Sequence, residues 1–264
     1  GQRMESMEAQ IDYLWQVLHR DKDPIGHNSL VALPHAYSVP GGRFREIYYW
    51  DSYFTALGLM DSGRIADVVA MIENFISLQQ RMGLIPNGNR SYYFSRSQPP
   101  VLAMIVDLVH QASPLPKEQL GRYLSALQQE YDFWMAGVET LDEQNRSHLR
   151  VVRLDDGAIL NRYYDAEVSP RPESYREDIE LAHGLGAEQE SEFYRNIRAA
   201  CESGWDFSSR WLEAPEQLSS IRTTQIVPVD LNCLLYQLES TLGTYCQALG
   251  KFELSGHYTE KALA

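Results

Sequence analysis

An all-α architecture of antiparallel helical hairpins around a pocket is what the 264-residue sequence predicts. Three observations lead there. Apolar residues recur at i, i+3 and i+4 in stretch after stretch, the signature of helices with one buried face. Strict alternation of apolar and polar residues is almost absent. The connections between periodic stretches are long and rich in Trp, Tyr, Arg and Gly, a composition that favours function over filler.

Taken in order, helices are predicted near 6–19 and 50–61. The stripe Ile65, Val68, Val69, Ile72 and Ile76 marks the next, and another is expected near 99–111. Leu120, Leu124, Leu127, Tyr131 and Trp134 repeat the pattern over about four turns. Shorter helices are placed near 174–183 and 190–202. The longest stripe, Leu231, Leu234, Leu235, Leu238, Leu242, Tyr245 and Leu249, begins just after Pro228, a residue suited to a helix start. The final residues, Tyr258 to Ala264, read as helix as well. Val151, Val152, Arg153 and Leu154 are the best strand candidate, placed in at most a short β-hairpin. No linker-like tract or internal repeat divides the chain, so residues 1–264 are read as one domain.

The net charge of −13 lacks the basic excess that phosphate neutralisation demands, which argues against nucleic acid. Cys201, Cys233 and Cys246 are odd in number and lack metal or redox spacing, so no disulfide framework is implied. Residues 1–5 are polar, and no apolar run has the length of a membrane span or signal peptide. The expectation is a soluble, cytoplasmic protein, with the periplasm or secretion open to a chain whose signal peptide has been removed.

Four clusters concentrate the chemistry. The first is Pro40-Gly41-Gly42-Arg43-Phe44-Arg45-Glu46-Ile47-Tyr48-Tyr49-Trp50-Asp51. The second holds Pro86-Asn87-Gly88-Asn89-Arg90 and continues to Arg96-Ser97-Gln98-Pro99-Pro100. The third contains Asn161-Arg162-Tyr163-Tyr164 and Arg171-Pro172-Glu173-Ser174. The fourth is Glu202-Ser203-Gly204-Trp205-Asp206-Phe207-Ser208-Ser209-Arg210-Trp211. Charged side chains can bond to sugar hydroxyls while ring faces cover C–H surfaces. One such cluster is explained equally well by a turn with surface ion pairs. Four of the same chemistry, each at a helix end, point to a carbohydrate pocket.

Glycoside hydrolysis requires two carboxyl groups, one to protonate the leaving oxygen and one to attack or to activate water. Asp206 lies between Trp205 and Phe207, whose rings would desolvate it and raise its pKa toward that of a general acid. An alternative role at that position is the N-cap of a following helix. Glu46, Asp51 and Glu173 are the other candidates. Arg43 and Arg171 lie near Asp51 and Glu173 in sequence and are expected to hold them ionised, as acceptors for hydroxyls. The histidines, including His19, His27 and His35, form no i, i+4 pair, so no metal site is expected. Gly184-Leu185-Gly186 lacks a third glycine and a preceding strand. Asn89-Arg90-Ser91 and Asn145-Arg146-Ser147 match a glycosylation sequon too common to imply export.

With these residues assembled, the chain resembles the trehalases of glycoside hydrolase family 37 over nearly its whole length. Residues 40–53 look like that family's first signature, and the blocks at 85–100, 171–173 and 203–211 match others in order. The resemblance implies an (α/α)6 barrel and cofactor-free, inverting hydrolysis of α,α-trehalose to two glucoses. It implies that Arg43, Trp50, Asp51, Asn87, Arg96, Ser97, Gln98, Arg171, Pro172, Glu173 and Gly204 line the sugar site, with Asp206 as general acid. Partners are then the sugar and its product alone, with no nucleic acid and no membrane.

One departure qualifies it. The family's second signature, containing Gln-Trp-Asp, and its general-base glutamate are not found in these 264 residues. The chain therefore reads as the first part of a trehalase domain with an incomplete barrel, whose uncovered helix faces could associate. Two further readings stay open: a non-catalytic sugar-binding remnant, and another α-glucosidase of the same barrel class.

Overall fold

The computed structural model of the chain describes residues 6–23 and 28–264. Residues 1–5 and His27, on which parts of the reading above rest, lie outside the described residues. Helices run α1 Met7–Leu18, α2 Tyr49–Asp61, α3 Ile65–Met82, α4 Leu102–Ala112, α5 Lys117–Met135, α6 Tyr175–Ala182, α7 Ala187–Ser203, α8 Val229–Ala248 and α9 Phe252–Leu263. Short turns join α2 to α3, α4 to α5 and α8 to α9. Packing of α3 on α4 and of α5 on α8 then lays these hairpins side by side, as part of an (α/α)6 barrel.

Local chemistry sets most of the boundaries. Ser6 caps α1 by accepting the Ala9 amide at 3.1 Å. Pro116 and Pro228 stand at the N-caps of α5 and α8. The helix expected near 99 starts at Leu102, because Pro99 and Pro100 hold their predecessors extended. The stripe 231–249 ends at Ala248, and α9 follows after Gly250, whose φ of +74° turns the chain.

The stripes bury their apolar faces as the periodicity requires. Val68, Ile72 and Ile76 of α3, Leu120, Leu124, Leu127 and Trp134 of α5, and Leu231, Leu235, Leu238 and Leu242 of α8 share one core. Many of the aromatics serve that core too. Trp134, Tyr163 and Trp211 meet edge to face at 6.1 and 6.0 Å, tying α5 to the two loops that carry Tyr163 and Trp211.

Strand content exceeds the single hairpin expected. β1 His19–Arg20 pairs with β2 Tyr37–Ser38, and β3 Ser147–His148, β4 Val151–Arg153 and β5 Ile159–Asn161 form an antiparallel three-stranded sheet. The physical reason is backbone accounting: a long connection such as 141–173 must pair its own amides and carbonyls where it packs on the helices. Among the described residues, no helix is long and apolar enough to cross a membrane.

Candidate active site

The four clusters arrive from different elements. Trp50 and Asp51 occupy the first turn of α2, residues 83–100 connect α3 to α4, Arg171 to Ser174 lead into α6, and Gly204 to Trp211 follow α7. Backbone and side-chain bonds stitch them together. The Trp50 amide donates to Gln98 Oε1 at 3.0 Å, and the Tyr49 amide to the Asn87 carbonyl at 3.2 Å. Asn87 Nδ2 reaches the Cys201 carbonyl in the last turn of α7 at 3.2 Å. Arg96 Nη2 donates to Glu173 at 2.6 Å, joining the second cluster to the third.

Gly204 governs the approach between the first and fourth clusters. It ends α7 in the left-handed region, φ +72°. A Cβ built on it would stand 2.4 Å from Cε3 of Trp50, closer than any real contact, so only glycine admits that ring. Trp50 in turn lies 5.8 Å from Trp205 and 5.7 Å from Phe54, forming an aromatic wall.

Asp206 sits in this wall's shadow. Over a third of its surface remains open, yet dense surroundings raise its pKa above the usual carboxylate range. The charges of Arg171 and Arg96 oppose that rise, and Glu173 reinforces it. The N-cap of the next turn, Ser209–Trp211, is Ser208, whose hydroxyl accepts the Arg210 amide, so Asp206 is free of the capping role. The peptide between Asp206 and Phe207 is cis.

Two charge pairings differ from those expected. Arg171 does not hold Glu173. Its guanidinium makes a bidentate bond to buried Asp178 of α6, at 2.7 Å from Nη2, while Glu173 pairs with Arg96. Arg171 is extended and Glu173 sits in a tight turn, so two residues close in sequence point apart. Nor does Arg43 hold Asp51. Arg43 is exposed in a glycine turn with its guanidinium 5.0 Å from the Phe44 ring centroid. Asp51 is raised by burial and then by the charge of Asp206, so it is not the low-pKa carboxylate expected.

Other positions have internal partners. Glu46 pairs with Arg90 at 2.7 Å. Ser97 is 1% exposed; its hydroxyl donates to the Ile85 carbonyl at 2.6 Å and its amide to Glu202 at 3.0 Å. Pro172 opens the turn that presents Glu173. Asn89 of the first sequon is fully buried with its amide spent on Ile47 and Val31, which leaves no room for a glycan. Arg96 is only partly satisfied. It is 1% exposed, and beyond the Glu173 bond its Nε and Nη1 make no hydrogen bond among the described residues, an unmet donor capacity at the junction of two clusters.

Asp165 and Asp178 carry no signal in the sequence, and Cys201 reads there only as an unpaired thiol. Asp165 is fully buried between Ser95 Oγ at 3.0 Å, Arg96 Nη1 at 3.7 Å and Arg198 Nη1 at 3.9 Å. Cys201 accepts from Arg171 Nη1 at 3.4 Å, and burial lifts its thiol to about 11 against the pull of Arg96 and Arg171. Asp178 carries Arg171. None belongs to a motif; only their burial reveals them. Among the described residues, no three His, Cys, Asp or Glu side chains are grouped to hold a metal ion.

Fold and site together define a helical-hairpin protein in which carboxyl, guanidinium and tryptophan side chains from four clusters meet. The comparisons narrow this. A family model, Trehalase, matches residues 1–264, and the chain belongs to the trehalase family. It is 52% identical over 261 residues to the periplasmic trehalases of Salmonella paratyphi B and Salmonella typhimurium, with 98% of this chain covered. The neutral trehalase Nth1 from Saccharomyces cerevisiae has a similar structure, with a TM-score of 0.70 and 25% identity over 96% of this chain. The chain spans 45% of the length of those Salmonella relatives and 50% of the yeast chain. The relatives' names agree with the periplasmic alternative and lend no support to a cytoplasmic location.

Proposed function

We propose that this chain carries the acid-bearing part of an inverting α,α-trehalase that works in the periplasm. The observation that carries the reading is Asp206: an uncapped, solvent-open carboxyl, raised by its surroundings and flanked by Trp205. It donates its proton to the glycosidic oxygen as the C1–O bond breaks. A glutamate outside these 264 residues deprotonates a water that attacks C1 from the opposite face. Water supplies the new C1–OH and returns a proton, so trehalose plus water gives one β- and one α-glucose.

The remaining side chains bind. Arg96 binds through Glu173, which it holds at 2.6 Å; Glu173 and Asp51 accept from hydroxyls, and Trp50 covers the ring face. Asn87, Gln98 and Gly204 shape the pocket, and Pro172 presents Glu173. Arg171, steadied by Asp178, faces the acid electrostatically. Arg43 and Ser97 complete the lining implied by the family resemblance, Arg43 from the exposed turn and Ser97 from behind.

In the full-length enzyme, Asp206→Asn removes the proton donor without changing shape. Turnover drops at least 10²-fold, while trehalose still protects the protein against heat. The wild-type enzyme releases equal α- and β-glucose, followed by proton NMR before mutarotation. Near-normal turnover by the variant would falsify the assignment, and two α-glucoses would exclude inversion.

A further inference from the structure

Among the described residues, Asp206 makes no hydrogen bond to another side chain, so its place depends on the backbone that follows α7. That backbone is held from below by Glu202, in the last turn of α7 and fully buried. Its two oxygens accept from three separate segments. Arg150 Nε donates at 2.9 and 3.1 Å and Nη2 at 2.7 Å. The Ser97 amide donates at 3.0 Å and the Tyr164 amide at 2.9 Å. Arg150 is itself fixed by the Tyr164 carbonyl at 2.9 Å and by the Phe133 ring at 4.3 Å.

We propose that Glu202 is the positioning residue for the general acid, a buried carboxylate that registers the C-terminus of α7, and so Asp206, against the binding loops. The inference rests on the trehalase reading above. Every partner of Glu202 is a donor, so an ionised carboxylate satisfies all of them at once. The binding loops have independent ties, Arg96 to Glu173 and Trp50 to Gln98, and do not depend on Glu202 alone. The hydrogen bonds of the segment after Gly204 are local: Trp205 donates its amide to Ser203 Oγ at 3.0 Å and accepts the Trp211 indole at 3.1 Å. Its ties to the binding loops are ring contacts, Trp205 on Trp50 at 5.8 Å and Phe207 under Arg171 at 4.9 Å, which fix direction less than a hydrogen bond does. Loosening Glu202 therefore displaces the acid more than the sugar.

The test separates proton donation from everything else. Trehalose needs a proton on its leaving oxygen; α-glucosyl fluoride, whose leaving group departs as fluoride, does not. Glu202→Gln in the full-length enzyme turns one acceptor into a donor facing donors. The ratio of kcat/KM for trehalose to that for the fluoride is expected to fall about 10- to 100-fold, the cost of a misplaced catalytic group. A ratio is unaffected by a smaller folded fraction. Should that variant fail to fold, Arg150→Lys, which keeps the charge and loses the fork, is expected to shift the ratio in the same direction. Equal losses on both substrates, or no loss on either, overturn the inference. Asp206→Asn serves as control: undiminished trehalose turnover there sinks the acid assignment itself, a different outcome from equal losses in Glu202→Gln.

Discussion

Substituting Gly204 by alanine tests the contact on which the pocket closes. Two penalties arise from one methyl group. The backbone at φ +72° costs an L-residue roughly 1–2 kcal/mol. The methyl would lie 2.4 Å from Cε3 and 2.8 Å from Cζ3 of Trp50. That ring cannot swing freely, since Trp205 and Phe54 flank it at 5.8 and 5.7 Å. Overpacking of this kind costs about 1–3 kcal/mol. Together the destabilisation is about 2–5 kcal/mol, and at about 2–4 °C per kcal/mol the melting temperature falls by roughly 4–20 °C. Because the proposed function gives that ring a binding role, trehalose protection is expected to fall as well. Thermal unfolding followed by circular dichroism, with and without trehalose, reads both effects. A Gly204→Ala protein that melts with the wild type and is equally protected by trehalose would refute the argument. Adding Trp50→Ala removes the clash and should recover part of the lost stability without restoring protection.

Two further outcomes follow from buried groups. Burial pushes Glu130 of α5 up to about 8, against the pull of its 2.5 Å bond from Tyr49. The folded protein therefore keeps that carboxyl protonated where the unfolded chain, with an ordinary value of 4.5, has lost the proton. Its contribution to stability is full below about pH 4.5 and declines as pH rises through about 8, by at most about 1.4 kcal/mol per pH unit. Glu130→Gln should flatten that slope in urea unfolding at a series of pH values; identical slopes would count against it. Ser97→Ala removes a hydroxyl bonded to Ile85 and should cost about 1 kcal/mol with an unchanged KM for trehalose. A several-fold rise in KM would place that hydroxyl on the sugar.

Much of the helical framework was legible because it obeys one local rule. The stripes from Ile65 and Leu120 and the one after Pro228 each bury the face their spacing predicts. The clusters were legible as clusters, since turn formers, rings and charges coincide within a few residues. Pairings were not. Arg171 belongs to Asp178, and Arg96 to Glu173, 77 residues away. No local rule specifies partners across such separations, because direction depends on how each loop packs. The strand expected at Val151–Leu154 forms as β4, but β1, β2 and β3 escaped for a similar reason: strands of two residues carry no period to detect.

The amino-acid sequence by itself determined the helices, the four clusters and, through their order, the family. Those properties live in short stretches, where periodicity, capping and turn chemistry act between neighbours. Tertiary structure decided which carboxyl is free and which is spent. Asp206 and Glu202 lie four positions apart in one cluster. One is open to solvent with no side-chain hydrogen bond among the described residues, and the other is fully buried under five donor bonds. Burial and bonding from distant segments set the chemistry of a carboxyl, and those segments meet only when the chain is folded.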